Sequence, residues 1–171
     1  MISGQKTYLK GLTKESASKI YAWVNQEELR AYTGTIYPVS EYEHEHWMAA
    51  QNSSSDRRLF LICDKATDEE IGTIGFKNLD SINRSAEIFV SIGRPDRIGG
   101  GYGTDAVNTL VDFMFNHLNI HRVYVIVFES NVRAIRSYEK SGFLIEGTLR
   151  EAHFANGKYE NTVVMGLLSS P

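Results

Sequence analysis

A glycine-dense segment between a strand pattern and a helix pattern constrains the fold of this chain more than any other feature. The segment runs Ile98-Gly99-Gly100-Gly101-Tyr102-Gly103-Thr104. Residues 85–92 before it are apolar and contain several β-branched side chains, which predicts a strand. Residues 105–117 after it repeat apolar side chains at helical spacing. The sequence therefore predicts a strand, a tight turn and a helix in direct succession.

Such a turn has the chemistry of an anion-binding site. Glycines let backbone N–H groups approach a ligand closely, and the first N–H groups of a helix have no partner within the helix. These groups also carry the positive end of the helix dipole, so together they predict binding of a phosphate or pyrophosphate. The alternative is a flexible loop that merely precedes a helix.

Two familiar phosphate motifs do not match this segment. A P-loop would need a lysine where Gly103-Thr104-Asp105 has none. A dinucleotide fingerprint that begins at Gly99 and Gly101 would need a third glycine where Thr104 stands. The loop must therefore hold its ligand by another scheme.

Composition narrows the class of protein. A length of 171 residues predicts a single domain over residues 1–171. The net charge of -3 and the scattered lysines and arginines do not favour nucleic acid as a partner. No apolar run could span a bilayer and the N-terminus lacks a signal pattern, so we expect a cytoplasmic protein without a membrane partner. The one cysteine, Cys63, lies in an apolar strand pattern and predicts a buried thiol.

The remaining patterns predict an α+β fold. Their order is a strand, two helices, three strands, a helix, a strand, a helix and two strands. The strand that begins at Ser85 and the strand at residues 122–128 are joined through a helix, which predicts a parallel pair. The unbroken apolar run at 122–128 predicts burial on both faces. Asn156-Gly157 predicts a tight hairpin between the last two strands.

The segment before the third predicted strand is harder to interpret. Ser40 and Glu43 predict a capping box that starts a helix. On that helix, His44 and His46 are two residues apart and point in different directions, so we expect no metal site there. Gly34 indicates a turn near residues 32–35, and the rest of residues 27–39 has no clear pattern.

Two segments at a characteristic separation carry a family resemblance. Residues 99–104 resemble a pyrophosphate-binding loop, and residues 131–143 (Asn-Val-Arg-Ala-Ile-Arg-Ser-Tyr-Glu-Lys-Ser-Gly-Phe) are similar to a second signature of the same family. That family is the GNAT superfamily of N-acetyltransferases. Residues 146–150 and 156–159, with Met165, resemble two of its branches, the ribosomal-protein N-terminal acetyltransferases and the spermidine/spermine N-acetyltransferases. The resemblance implies a single-domain fold with a mixed, mostly antiparallel sheet, a central parallel strand pair and flanking helices.

The resemblance also implies that acetyl-CoA is the co-substrate, with no metal. The residues that it assigns to acetyl-CoA are Val90, Ser91, Ile92, Ile98, Gly99, Gly100, Gly101, Tyr102, Gly103, Thr104, Asn131 and Ala134. In this assignment the strand offers backbone groups to the pantetheine arm, and one N–H serves as a small oxyanion hole. The family's loop usually opens with Gln or Arg, whereas this chain has Ile98 there and Arg97 one place earlier.

Two further residues are assigned to catalysis. Tyr138 would be the general acid that protonates the leaving thiolate, and Glu87 the base that deprotonates the amine. The alternatives are a core aromatic residue for Tyr138 and a surface carboxylate for Glu87. Transfer would be direct within a ternary complex, since Cys63 is not placed at the site.

The acceptor is expected to be a primary amine: a protein N-terminus, a polyamine, an amino acid or an amino sugar. Its contacts would come from Glu28 and Tyr32. Polyamine acetyltransferases of the family carry acidic residues after the first helix, and residues 32–37 have none, which weakens spermidine as acceptor. A non-catalytic CoA-binding sensor or structural subunit is the alternative function. Apolar residues near the C-terminal hairpin are compatible with a homodimer.

Overall fold

The computed structural model describes residues 1–170 and has one eight-stranded sheet flanked by five α-helices. The strands are β1 (Ile2–Ser3), β2 (Thr7–Lys10), β3 (Arg58–Asp64), β4 (Glu70–Asp80), β5 (Ser85–Ile92), β6 (Arg122–Phe128), β7 (Leu144–Ala155) and β8 (Lys158–Leu168). The helices are α1 (Lys14–Val24), α2 (Glu27–Thr33), α3 (Glu41–Ser53), α4 (Tyr102–His117) and α5 (Val132–Lys140). None of these helices combines the length and the apolarity that crossing a bilayer requires.

The sheet has the order β1-β2-β3-β4-β5-β6-β8-β7. Its neighbours are antiparallel except for β5 and β6, which run parallel because α4 connects them. The expected mixed, mostly antiparallel sheet with a central parallel pair is therefore confirmed.

Helices cover both faces of the sheet. On one face, α4 and α5 enclose the main core, in which Ala106, Leu110 and Met114 are fully buried. Burying a side chain of this size stabilises a fold by about 1.5–3 kcal/mol, which fixes α4 firmly on the sheet. On the other face, α1 and α3 pack over a smaller cluster around Ile20 and Cys63. The prediction of a buried Cys63 is confirmed, and burial raises the pKa of its thiol.

The parallel pair separates soon after it begins. Backbone pairing joins Ser85 to Arg122, Ala86 to Val123 and Glu87 to Tyr124, and the recorded register ends there. Each strand keeps its antiparallel partner on the other side, so β5 stays with β4 and β6 stays with β8. The two strands consequently diverge in the middle of the sheet and open a cleft.

This divergence corrects one prediction about β6. Its alternate residues Val123, Val125 and Val127 are buried against α4 and α5, but Ile126 is 43% exposed. The predicted burial on both faces is wrong, because the second face of β6 borders the cleft instead of a packed helix.

The segment after α1 also differs from the sequence analysis. Residues 27–33 form α2, and Gly34 ends it in a left-handed conformation with φ 74°. The helix begins at Gln26 without a side-chain cap, which explains why no start signal marked it. The turn predicted near residues 32–35 is therefore present, but it ends a helix. The capping box of Ser40 and Glu43 is confirmed at the start of α3.

The last two strands form a long hairpin. Asn156 and Gly157 both have positive φ values, as the predicted tight turn requires. β7 lies at the outer edge of the sheet and is exposed along most of its length, with Leu144 at 73% and Phe154 at 52%.

Candidate active site

The cleft between the diverging strands has a volume of about 1190 Å³. Because side chains alternate along a strand, β5 contributes to both of its sides. Val90 and Ile92 pack toward α4, whereas Glu87, Phe89 and Ser91 lie on the face that carries α1 to α3. All five of these residues line the cleft. We call the part next to α4 and α5 the loop side, and the part next to α1, α2 and α3 the helical-cap side.

The glycine turn forms one end of the loop side. Gly99 and Gly101 have φ values of 83° and 81°, a left-handed conformation that other residues adopt only under strain. Gly101 is also the N-cap of α4, and the first bond within the helix runs from the Asp105 N–H to the Gly101 carbonyl. The N–H groups of Tyr102, Gly103 and Thr104 therefore precede the first intrahelical bond at the start of a 16-residue helix.

Two residues of the turn contact its supporting side chains on the side away from the cleft. Gly100 and Tyr102 are not among the described residues that line the cleft. The Gly100 carbonyl accepts a hydrogen bond of 3.0 Å from Lys6 Nζ. The Arg97 guanidinium lies over the Tyr102 ring, with its carbon 5.7 Å from the centroid of that ring. The remaining members of the turn, Ile98, Gly99, Gly101, Gly103 and Thr104, line the cleft.

Arg97 is held by acidic residues at the edge of the turn. Its Nη2 lies 3.4 Å from Asp64 Oδ2 and 3.2 Å from Glu69 Oε2. Together with its position over Tyr102, these contacts make Arg97 a support of the loop, although the residue also borders the cleft.

The start of α5 is fixed by Asn131. Its side-chain oxygen accepts a hydrogen bond of 3.2 Å from the Ala134 N–H and so caps the helix. Asn131 and Ala134 both line the loop side. The hydroxyls of Thr104 and Ser137 are 2.6 Å apart and join the first turn of α4 to α5.

Three basic residues of α5 were missed by the sequence analysis. Arg133, Arg136 and Lys140 line the cleft, and no ion pair involves them within residues 1–170. Their spacing of three and four residues on a predicted helix was the available signal, since it places them on one helical face.

Tyr138 lies on the apolar face of α5 and borders the cleft. Its side chain is 5% exposed, and its ring packs edge-on against Phe143 with centroids 5.4 Å apart. Burial raises the pKa of the Tyr138 phenol above its usual value. The hydroxyl therefore stays protonated at neutral pH.

Glu87 lies on the helical-cap side of the same cleft. Its side chain is 13% exposed, with Oε1 3.4 Å from Lys77 Nζ. Oε2 accepts a hydrogen bond of 3.0 Å from Asn78 Nδ2. Asn78 has a φ of 54° and belongs to a bulge of β4 that interrupts the register opposite Glu87. The carboxylate is thus half enclosed and oriented by two partners.

The two expected acceptor residues are placed differently. Tyr32 of α2 lines the cleft, and the Arg133 guanidinium lies 5.5 Å from its ring centroid. Glu28 is exposed at the start of α2 and is not among the described lining residues. Sequence reasoning missed four aromatic residues that border the same side, namely Trp23, Trp47, Phe89 and Phe128.

The cleft thus brings together a glycine turn at a helix start, a sheet that splits beside it and a buried tyrosine. Residues 6–144 match the family model of the acetyltransferase (GNAT) domain. The chain therefore belongs to the GNAT acetyltransferase family, and the expected N-acetyltransferase class is confirmed at the level of that family.

The relatives of this chain are named for more than one acceptor substrate. It is 34% identical over 114 residues to the spermidine N(1)-acetyltransferase of Escherichia coli strain K12, which covers 67% of this chain and 59% of that enzyme. The match thus spans less than two thirds of the relative. A Bacillus subtilis protein named provisionally as a ribosomal N-acetyltransferase is 34% identical over 97 residues, covering 57% of this chain and 52% of its own.

The fold is similar to that of spermidine N-acetyltransferase from Vibrio cholerae. The structure of that enzyme with CoA and spermine has a TM-score of 0.87 and 28% identity, and covers 95% of both chains. A dodecameric structure of the same enzyme, described as an intermediate state, has a TM-score of 0.80 and 28% identity, with 95% of this chain and 94% of the other covered.

Proposed function

We propose that this protein transfers the acetyl group of acetyl-CoA to a primary amine within a ternary complex. The observation that carries the proposal is that Tyr138 and Glu87 border one cleft from opposite faces of the split sheet. An acid and a base on opposite sides of a reacting centre suit a reaction that removes one proton and delivers another. The named relatives that acetylate spermidine, and the CoA in one structural relative, support the same reaction class.

Acetyl-CoA would occupy the loop side. The N–H groups at the start of α4 suit its pyrophosphate, and the cationic side chains of Arg133, Arg136 and Lys140, which form no ion pair within residues 1–170, suit its remaining phosphate. The free edge of β5 near Val90 and Ser91 offers backbone groups to the amides of the pantetheine arm. This placement directs the thioester toward the middle of the split.

The amine would approach from the helical-cap side. A free alkylamine has a pKa near ~10.4, so it must lose a proton before it attacks. Glu87 takes this proton, directly or through a water molecule. The nitrogen then bonds to the thioester carbon, and a backbone N–H of β5 stabilises the oxyanion.

The intermediate collapses as the carbon–sulfur bond breaks. Tyr138 donates a hydrogen bond to the sulfur and protonates the thiolate, whose own pKa is near ~8.5. Its raised pKa keeps the phenol a hydrogen-bond donor to the developing negative charge on sulfur, and solvent replaces any proton that Tyr138 gives up. The nitrogen loses its second proton to solvent as the intermediate collapses. The products are an acetamide and free CoA; two protons leave the original ammonium and one is taken up as thiol, so one proton is released in total.

We also propose that the protein self-associates through the exposed edge around β7. Leu144, Ile145 and Phe154 are each more than half exposed there, which is unusual for large apolar side chains. A relative from Vibrio cholerae is described as dodecameric.

Tyr138→Phe tests the proposed reaction. We expect kcat, followed as thiol release from acetyl-CoA, to fall by about 10²–10⁴-fold, because the acid is removed while its ring is kept. CoA affinity measured by calorimetry should not change. Tyr42→Phe, an equivalent change at an exposed residue outside the cleft, is the control.

Two results would contradict the proposal. Full turnover by the Tyr138→Phe variant would remove Tyr138 from the chemistry. CoA binding without thiol release for spermidine, amino acids, aminoglycosides, arylalkylamines and peptides with free N-termini would favour the non-catalytic sensor instead.

A further inference from the structure

The helical-cap side of the cleft is rich in aromatic rings. Five aromatic residues from five separate elements border it: Trp23, Tyr32, Trp47, Phe89 and Phe128. Several of them are open to solvent, since Tyr32 is 52% and Trp47 is 40% exposed. Exposed rings gathered around one cavity are costly unless a ligand covers them.

Some of these rings are held in place by neighbours. The Phe128 ring stacks on His153 with centroids 3.8 Å apart and planes 12° from parallel. Trp47 stacks on His44 at 6.0 Å, and His44 Nε2 in turn lies 2.8 Å from the Ala17 carbonyl oxygen. The rings of Phe128 and Trp47 are therefore held in position without a ligand. We call the surface that these two rings offer to the cleft the aromatic wall.

The same side carries little free negative charge. Glu43 and Glu87 are the carboxylates among the described residues that line the cleft. Both oxygens of the Glu87 carboxylate already have partners in Lys77 and Asn78. Glu43 accepts hydrogen bonds from the Ser40 N–H and hydroxyl, which lower the pKa of the Glu43 carboxyl.

Positive charge balances these carboxylates. Arg57 and Lys77 border the same side, so the helical-cap side has two residues of each sign. A polyamine brings several ammonium groups, each of which loses hydration on entry and needs its own acceptor. Glu43 is engaged by Ser40, so among the described lining residues Glu87 is left to meet one ammonium group and no carboxylate remains for a second.

We propose that the acceptor is a monoamine carrying an aromatic group. The proposal deepens the proposed function and rests on it. The aromatic group would pack against Trp47 and Phe128, and its single ammonium would reach Glu87, which borders the same cleft where β5 and β6 separate. Aromatic faces also attract the ammonium itself before it is deprotonated. Either a free arylalkylamine or a peptide with an aromatic first residue provides this chemistry.

A panel of four amines tests the inference at saturating acetyl-CoA, with thiol release as the readout. The panel consists of phenethylamine, a short peptide beginning with phenylalanine, ethylamine and spermidine. We expect kcat/KM for at least one aromatic amine to exceed the values for ethylamine and spermidine by tenfold or more. A preference between phenethylamine and the peptide identifies the source of the aromatic amine.

Substitution of Phe128 tests whether the preference for an aromatic amine depends on the aromatic wall. Phe128→Leu should raise KM for the preferred aromatic amine several-fold and leave KM for acetyl-CoA unchanged. Phe113→Leu, on α4 and outside the cleft lining, makes the same change away from the site and should alter neither value. A common fall in thermal stability with unchanged KM values would show that Phe128 is structural and would overturn the assignment of the wall.

The outcomes separate the two proposals. Turnover that is fastest with spermidine, or equal for ethylamine and phenethylamine, overturns the aromatic acceptor and leaves the acetyl transfer intact. Absence of thiol release with every amine, while CoA still binds, overturns the proposed function and the inference with it.

Discussion

The two sides of the cleft are built in different ways. The loop side comes from two short stretches of chain, the glycine turn with the start of α4 and the helix α5. The helical-cap side is assembled from side chains of six elements, α1, α2, α3, β4, β5 and β6, which are spread over residues 14–128. A site made from local backbone geometry is tied to one ligand, whereas a site made from side chains of many elements changes its preference easily. The same fold can therefore keep one donor and exchange its acceptor.

The largest effect that tests this comparison is expected at Gly101. Gly101→Val places a β-branched residue at a φ of 81°, a strain of about 1–3 kcal/mol, and so disturbs the backbone of the turn at the N-cap of α4. We expect CoA binding measured by calorimetry to be lost. Gly157→Val is the matched control, because Gly157 has a φ of 75° in an open hairpin turn and faces the same strain without a ligand. Equal CoA affinity in both variants would contradict a backbone-built donor site.

A smaller effect is expected on the basic face of α5. Arg136→Gln and Lys140→Gln should each raise KM for acetyl-CoA by roughly tenfold, since a hydrogen bond to a charged group is worth about 1.5–3 kcal/mol. The dependence of KM on salt should weaken as well, because fewer charges contact phosphate. KM for the amine should stay constant.

The control for these two variants is Lys14→Gln, which removes the same charge from the exposed start of α1. A rise in the KM for the amine in place of acetyl-CoA would show that α5 belongs to the acceptor part of the site.

The smallest effect is expected from pH. Burial raises the pKa of Tyr138, so the protonated acid persists at higher pH than a free tyrosine with a pKa of about 10. Activity that needs this proton is retained below the raised pKa, and kcat should show no loss from Tyr138 up to about pH 10. The tyrosinate absorbance of the protein minus that of Tyr138→Phe gives the titration directly. A midpoint below pH 10 would contradict the buried, protonated acid.

The same contrast explains what the sequence could predict. The strand, glycine turn and helix around Gly101 are consecutive, and their periodicity and glycine content were sufficient to predict them. Asn131 and Tyr138 followed from a continuous signature. The parallel pair could also be predicted, because a helix between two strands nearly dictates it.

The helical-cap side could not be predicted in the same way. Helix α2 has no side-chain cap, and Glu28 at its start is exposed outside the cleft while Tyr32, one turn later, lines it. Trp47 and Phe128 lie 81 positions apart in the chain, and only the arrangement of the sheet and its helices brings both to the border of one cleft. No local sequence pattern predicts that two residues so distant in the chain will border the same cleft. The open face of β6 was missed for a related reason, since hydrophobic composition does not distinguish a packed face from one that borders a cleft.

The early separation of β5 and β6 has one more consequence. Beyond Glu87 and Tyr124, each strand has hydrogen-bonding groups on one side without a strand partner, so the sheet acquires two edges in its interior. Edges on a protein surface invite pairing with other chains and aggregation. Here they face each other across a cleft, where an amide-bearing ligand can add to them as a short extra strand would. In the proposed complex, the pantetheine arm would therefore occupy the edge that another protein chain would pair with at the surface of a sheet.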